Sequence, residues 1–347
     1  MLVVLRIHLS LTSEPRQDAP TGLENMPAFN TSLGCAAASH TYNSTINTVR
    51  IPFEHDKPDH SFTVYGGMVG TLTLVDGEPD DTDVKYEFTI KSNDPSLLDS
   101  HSLLFRYADV APDGAVQKSQ FLITSPTITE GSKSCIRYDI KLFIPPSLKR
   151  LSVTAHAVMQ LTVDPGSNFH LDTFYATLYE TSTNNLILPH ESLRADTLGL
   201  EVYRGWIVGD VSISKTTSIS TQRGDGVANL KVHPLPPVDQ QNPEKAVLWT
   251  ATGAGRSDFT WLGDSAVLKR PIEADHKSSK NGNVYLTYRN ANFKGLISLD
   301  SKSFTTMYVN QIRDADKIEN WTHWAGDITG PDRLRVESRG WTGLYFS

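Results

Sequence analysis

The chain has 347 residues, 39% hydrophobic and 20% charged, which suits a protein with a large core and excludes a disordered or collagen-like chain. A formal charge of −7 and a pI of about 5.9 exclude a general nucleic-acid or anionic-membrane binder, which needs a basic footprint. No run approaches the roughly 20 apolar residues of a membrane-spanning helix. The opening "MLVVLRIHLSLTSEPR" alternates Leu5, Ile7, Leu9 and Leu11 with Arg6, His8, Ser10 and Thr12, as a strand does. A signal or anchor remnant is the competing reading, and Arg6 and His8 interrupt its apolar run.

Residues 1–60 read as an irregular leader, with Pro15, Pro20, Pro27, Pro52 and Pro58 breaking regular structure. Residues 61–145 read as a β-rich part. "DVKYEFTIKS" alternates Val84, Tyr86, Phe88 and Ile90 with polar neighbours, and "CIRYDIKLFI" does the same with Ile136, Tyr138, Ile140 and Leu142. Such a period of two predicts one packed and one wet face. Helical patterning is weak and confined to 96–108 and 311–324.

Residues 146–347 read as stacked, repeat-like β structure. Short alternating runs follow one another, among them "LSVTAHAVMQLTVD", "FYATLYE" and "LGLEVYRGWIVGDVSIS". Gly224, Gly253 and Gly282 lie 29 residues apart, and Gly340 lies 58 beyond Gly282, with position 311 breaking the series. Each glycine precedes an alternating run. The spacing predicts stacked units whose turns take glycine where φ must be positive. The predicted fold is therefore all-β: stacked β-strand repeats, β-solenoid or β-helix-like, after a smaller β-sandwich-like part.

The segments "FIPPSLKRLSVTAHAV", "LGLEVYRGWIVGDVSISKTTSISTQRGDGV", "VYLTYRNANFKGLISLDS" and "ESRGWTGLYFS" carry a resemblance over about 135–347. The chain resembles uncharacterised fungal proteins related to the "putative adhesin" family of stacked β-strand repeats. That resemblance implies a β-repeat body and an adhesin-like surface role, and it supplies no catalytic residues. Members often place an anchor or a disordered tail before the β region.

Several clusters are candidate sites. Asp76, Glu78, Asp80, Asp81 and Asp83 in "VDGEPDDTDV" offer clustered oxygens suited to Ca²⁺, and a charged turn between strands is the alternative. "EHDKPDH" gathers Glu54, His55, Asp56, Asp59 and His60 without an established zinc spacing. Trp321 and Trp324 in "NWTHWAGD" are the candidate ligand platform, against a loop packed on the sheet. Trp206, Trp249, Trp261 and Trp341 fall in alternating runs and read as core or cross-strand pairs. Arg223-Gly224-Asp225 reads as a turn rather than a recognition tripeptide.

Cys35 and Cys135 are either two buried thiols or one disulfide tying the leader to the strand that starts at Ile136. Asn30, Asn43 and Asn320 head glycosylation sequons. His156 reads as a satisfied strand histidine, and Ser212 with Lys215 forms a Ser-x-x-Lys whose ends face opposite sides of a strand.

No cofactor motif is present, and no Gly-x-Ser-x-Gly, His-Glu-x-x-His or phosphate loop occurs. The leading reading is a non-catalytic surface or structural protein, extracellular or at the cell surface, with glycans or surface proteins as partners. An intracellular scaffold in the cytoplasm and a carbohydrate-active β-solenoid enzyme are the alternatives. The sequence predicts no nucleic-acid partner.

Overall fold

Alternating sequence becomes alternating burial almost throughout. The computed structural model describes residues 22–347 except 55, 130, 264–268, 314–317 and 319. The strand reading of Leu5–Leu11, the signal reading of the same stretch and the His55 candidate lie outside the described residues. Strand accounts for 55% of the chain and helix for 2%, so the class is all-β. The helical patterning at 96–108 gives only a 3₁₀ turn, Pro95–Leu98, and a short strand, Leu104–Arg106. In 311–324 the described residues include the ends of two short strands, Asn310–Gln311 and His323–Ala325.

Most strands pair in parallel with the strand two places away, which separates them into two ladders. The first ladder runs through Phe169–Leu178, Leu193–Val202, Thr216–Thr221, Ala246–Thr252 and Ile272–Ser278. The second runs through Leu186–Leu188, Trp206–Ile213, Val227–Pro234, Ser257–Trp261 and Val284–Thr287. Four long strands belong to both, each contributing a part to either ladder: Asp59–Asp76, Arg150–Val163, Gly295–Met307 and Asp332–Tyr345.

Registered side chains form inward rows. Leu151, Phe174, Leu198, Thr217, Leu248, Ala274 and Leu334 stand in one row of the first ladder, all buried. Leu161, Ile187, Ile207 and Ala228 stand in one row of the second. The ladders meet across the interior, where the rings of Phe259 and His276 lie 5.3 Å apart. A single buried cluster includes residues from Ile51 to Phe346.

Both ends of the ladders carry antiparallel strands. At one, Asp83–Ser92 pairs with Asn47–Pro52 and Ile136–Ile144. At the other, Gly295–Met307 pairs with His323–Ala325. Such additions occupy backbone groups that an open parallel edge would leave bare.

The glycine spacing has a different cause from the one the sequence predicts. Gly253, Gly282 and Gly340 do not have positive φ. They are close-approach positions: a Cβ on Gly282 would lie 2.6 Å from the Gly253 carbonyl oxygen, and one on Gly340 would lie 2.3 Å from that of Gly282. The elbows stack backbone on backbone, so the requirement is space.

The missing elbow near 311 also has a topological reason. Gly295–Met307 does not pair with the Ile272–Ser278 strand that precedes it. The later strand Asp332–Tyr345 lies between them, paired to Ile272–Ser278 and Val284–Thr287 on one side and to Gly295–Met307 on the other.

Candidate binding face

The outward rows of the two ladders meet different fates. On the second ladder Leu186, Trp206 and Val227 are registered neighbours on the opposite side from inward Ile187, Ile207 and Ala228. They are nevertheless buried, because the segment at 22–35 crosses them with Leu23, Met26 and Phe29. We call this segment the strap.

Polar contacts and a disulfide fix the second half of the strap, from Ala28 to Cys35. The buried Gln160 side chain accepts from Asn30 N at 2.7 Å and donates to Ala28 O at 3.3 Å. Arg137 donates to Thr31 O and Asn30 Oδ1 and pairs with Asp139 at 2.8 Å. A disulfide joins Cys35 at the strap's end to Cys135.

The outward side of the first ladder carries no such cover among the described residues. One registered row reads Ser152, Tyr175, Gly199, Ser218, Trp249, Asp275 and Arg335. Tyr175 is 46% and Trp249 53% exposed. Trp249 thus departs from the core or paired position that its alternating run predicts, because the run marks only which side it faces. Trp206 and Trp261 are buried, and the Trp341 ring lies tilted against Tyr285 with centroids 4.8 Å apart.

Tyr175 leans across the adjacent strand. A Cβ on Gly199 would lie 2.3 Å from its Cδ1 and 2.6 Å from its Cε1, so the ring occupies the space that glycine leaves free. Thr197 and Thr216 stand on one side of the Gly199–Ser218 floor, with Glu201 and Ser220 on the other. Glu201 accepts from Gln222 Nε2 at 2.7 Å.

Beyond Tyr175 the floor opens into a groove of about 370 Å³, whose walls include Glu54, Lys57, Asp59, Lys118 and Arg150. Arg150 and Asp59 pair at 3.5 Å.

Beneath this groove His60 is buried. Its Nδ1 lies 2.7 Å from Ser119 Oγ and its Nε2 2.6 Å from Tyr86 Oη. A second histidine in the same ladder repeats the arrangement, with His276 Nδ1 2.9 Å from Thr250 Oγ1 and Nε2 3.0 Å from Tyr288 Oη. Burial holds both imidazoles down at about 3. The hydroxyls occupy both ring nitrogens in each case. A general base works best with a pKa near the operating pH, so these groups are core polar clusters poorly tuned for that role near neutrality.

A further outward stack, Tyr65–His156–Tyr179, has ring separations of 4.5 and 4.6 Å with planes within 8°. Stacking covers the His156 ring on both sides.

The remaining candidates are dispersed. Asp81 pairs with Arg50 at 2.6 Å, and Asp76 accepts from Asn168 N at 2.7 Å. Glu78 and Asp80 are exposed, Asp83 is half-buried, and among the described residues no three metal-ligating side chains converge. His60 faces the core, whereas Glu54 and Asp56 are exposed. Trp321 lies beneath Arg335 and Arg333, at 5.2 and 5.7 Å, and Trp324 is half-buried on the short strand His323–Ala325.

Asn30, Asn43 and Asn320 are exposed, with φ of 61°, 53° and 63°. Asp225 of the Arg-Gly-Asp turn is held by Arg204 at 2.6 Å. Ser212 Oγ donates to Glu191 O and Lys215 pairs with Asp196, so the Ser-x-x-Lys ends are separately engaged.

No family model matches this chain. No curated protein matches it. Among solved structures it is similar to a protein described as a "putative adhesin" from Bacteroides fragilis, at 10% identity and a TM-score of 0.39, covering 88% of this chain and 98% of that one. A "putative adhesin" from Parabacteroides distasonis has 9% identity and a TM-score of 0.37, with coverage of 87% and 98%. A "putative lipid binding protein" from the same species has 11% identity and a TM-score of 0.35, with coverage of 87% and 97%. With scores this low they fix no property of this chain. These neighbours are bacterial and carry nothing on the fungal origin in the sequence resemblance.

Proposed function

We propose that this chain is a non-catalytic surface protein, a β-solenoid of stacked repeats that presents the outward side of its first ladder as an extended binding face. The observation that carries the reading is the asymmetry of the two outward sides. The strap seals Trp206, while Tyr175 and Trp249 stand exposed in one registered row. Exposed Tyr and Trp side chains are the residue types enriched at contact surfaces.

The two-place parallel pairing and the stacked elbows support the solenoid reading. The Cys35–Cys135 bond supports an oxidising setting outside the cytoplasm.

Two measurements test the proposal together. Membrane-impermeant biotinylation of intact producing cells should label the protein in its disulfide form. Beads coated with the protein should be retained on cell-surface preparations, and Trp249→Arg should release them. Recovery only from lysed cells with two free thiols overturns the surface role. Retention unchanged by Trp249→Arg overturns the assignment of the face.

A further inference from the structure

The geometry points to a neutral, linear polysaccharide as the ligand, lying across the strands from Tyr175 to Trp249. This rests on the open side of the first ladder being the binding face and adds the chemistry of what it holds.

The two aromatics belong to one row, three strand steps apart, or about 14 Å between their backbones. Tyr175 shortens the gap by leaning onto Gly199. Gly199 lies beneath the Tyr175 ring, so the floor left between the rings is Ser218, a small hydroxyl side chain. The result is a shallow trough with an aromatic group at each end.

The chemistry of the trough selects among ligands. A pyranose with equatorial substituents has an apolar C–H side and a rim of hydroxyls. The C–H side packs on the negatively polarised face of an aromatic ring. The rim needs donors and acceptors, which Thr197, Thr216, Ser220 and Glu201 supply beside the floor.

A polyanion fits poorly. Between Tyr175 and Trp249, Glu201 is the one charged side chain on the floor and its two flanking rows. Of the cations farther along the ladder, Lys245 pairs with Glu273 at 2.6 Å, Lys277 pairs with Glu337 at 2.7 Å, and Arg335 lies over the Trp321 ring. A protein partner fits poorly as well, because the centre of a protein interface is a desolvated apolar cluster, whereas Ser218 lies between these rings with Thr216 and Ser220 beside it. The open groove beside Tyr175 leaves the chain path unblocked at that end, so an internal stretch of a long polymer can lie there.

The test is calorimetric titration of the intact, oxidised protein with cellohexaose, chitohexaose and laminarihexaose, with heparin as the polyanionic control. At least one hexaose should bind and heparin should not. Tyr175→Ala and Trp249→Ala should each weaken binding at least about tenfold. Gly199→Ala should do the same while keeping both rings, because its Cβ would force Tyr175 off the floor. Circular dichroism and the denaturation midpoint confirm that each variant is folded.

Binding that is unchanged in all three variants, preference for heparin, or no hexaose binding at millimolar concentration overturns the proposal. If beads still adhere through Trp249 while no hexaose binds, the face stands and the polysaccharide falls. If wild-type beads do not adhere at all, the functional reading beneath it falls too.

Discussion

Trp206 and Trp249 make the most informative pair in the molecule. Both occupy outward positions on parallel strands, yet one is 7% and the other 53% exposed. The difference lies in what crosses the strand. Leu23, Met26 and Phe29 cover Trp206, and the Cys35–Cys135 bond holds their segment in place. One outward side is therefore packed beneath the strap, and the other stands uncovered among the described residues.

The largest effect should come from releasing the strap. The disulfide closes a loop of 100 residues, and Cys35→Ser should cost about 4–5 kcal/mol in the chain-entropy account. Urea denaturation of the variant against the oxidised wild type measures it. Hydrogen exchange should then rise first around Leu186, Trp206 and Val227. A uniform rise over both ladders would break the contrast between them.

Acid should act on the other ladder. His60 and His276 both lie on the inward side of the first ladder, and burial holds each at about 3 against 6.5 when unfolded. Between these values the unfolded chain binds the extra protons. Stability from this source is therefore complete above 6.5 and falls as pH drops, by about 1.4 kcal/mol per pH unit for each histidine. At pH 5 the loss should total about 4 kcal/mol. Asp258 and Asp275, raised by burial, oppose it. Urea midpoints at pH 7.5 and 5 check the sign, and the His60→Gln/His276→Gln double variant should flatten the dependence.

Next in size is Trp206→Ala, which should cost about 3 kcal/mol because it leaves a cavity beneath the strap. Gly282→Ala should cost about 2 kcal/mol, since its Cβ would meet two carbonyl oxygens at 2.6 Å. Thermal and urea unfolding read both. A neutral Gly282→Ala would mean that the elbows have room to spread.

The β class was legible because period-two alternation needs only local sequence. Ile136, Tyr138, Ile140 and Leu142 are buried as their spacing predicts. The elbow glycines were legible as a spacing, but their cause was not, since close approach of two backbones is a contact between residues 29 apart. The insertion of Asp332–Tyr345 beneath Gly295–Met307 could not be read at all, because alternation marks strands and leaves their order in space open.

The proposed binding face was hidden for a related reason. Alternation separates inward from outward residues and cannot say which outward rows another segment covers. "NWTHWAGD" drew attention through its polar surroundings, yet Arg333 and Arg335 lie over Trp321. The signal available was Tyr175 and Trp249 at outward positions of two runs. It has meaning only once Gly199 and Ser218 are known to lie between them.

The smallest predicted effect on stability is the one that separates the two tryptophans most cleanly. Trp249→Ala should change the unfolding free energy by no more than about 0.5 kcal/mol, because an exposed ring on an uncovered row leaves no cavity and uncovers no core. The same substitution should remove adhesion. A large loss of stability would mean that the Trp249 ring is part of the packing and the open side a structural surface like the strapped one. Unchanged stability with lost binding is what a side kept free for a ligand requires, and Trp206→Ala should give the opposite: lost stability, with binding retained by the folded fraction.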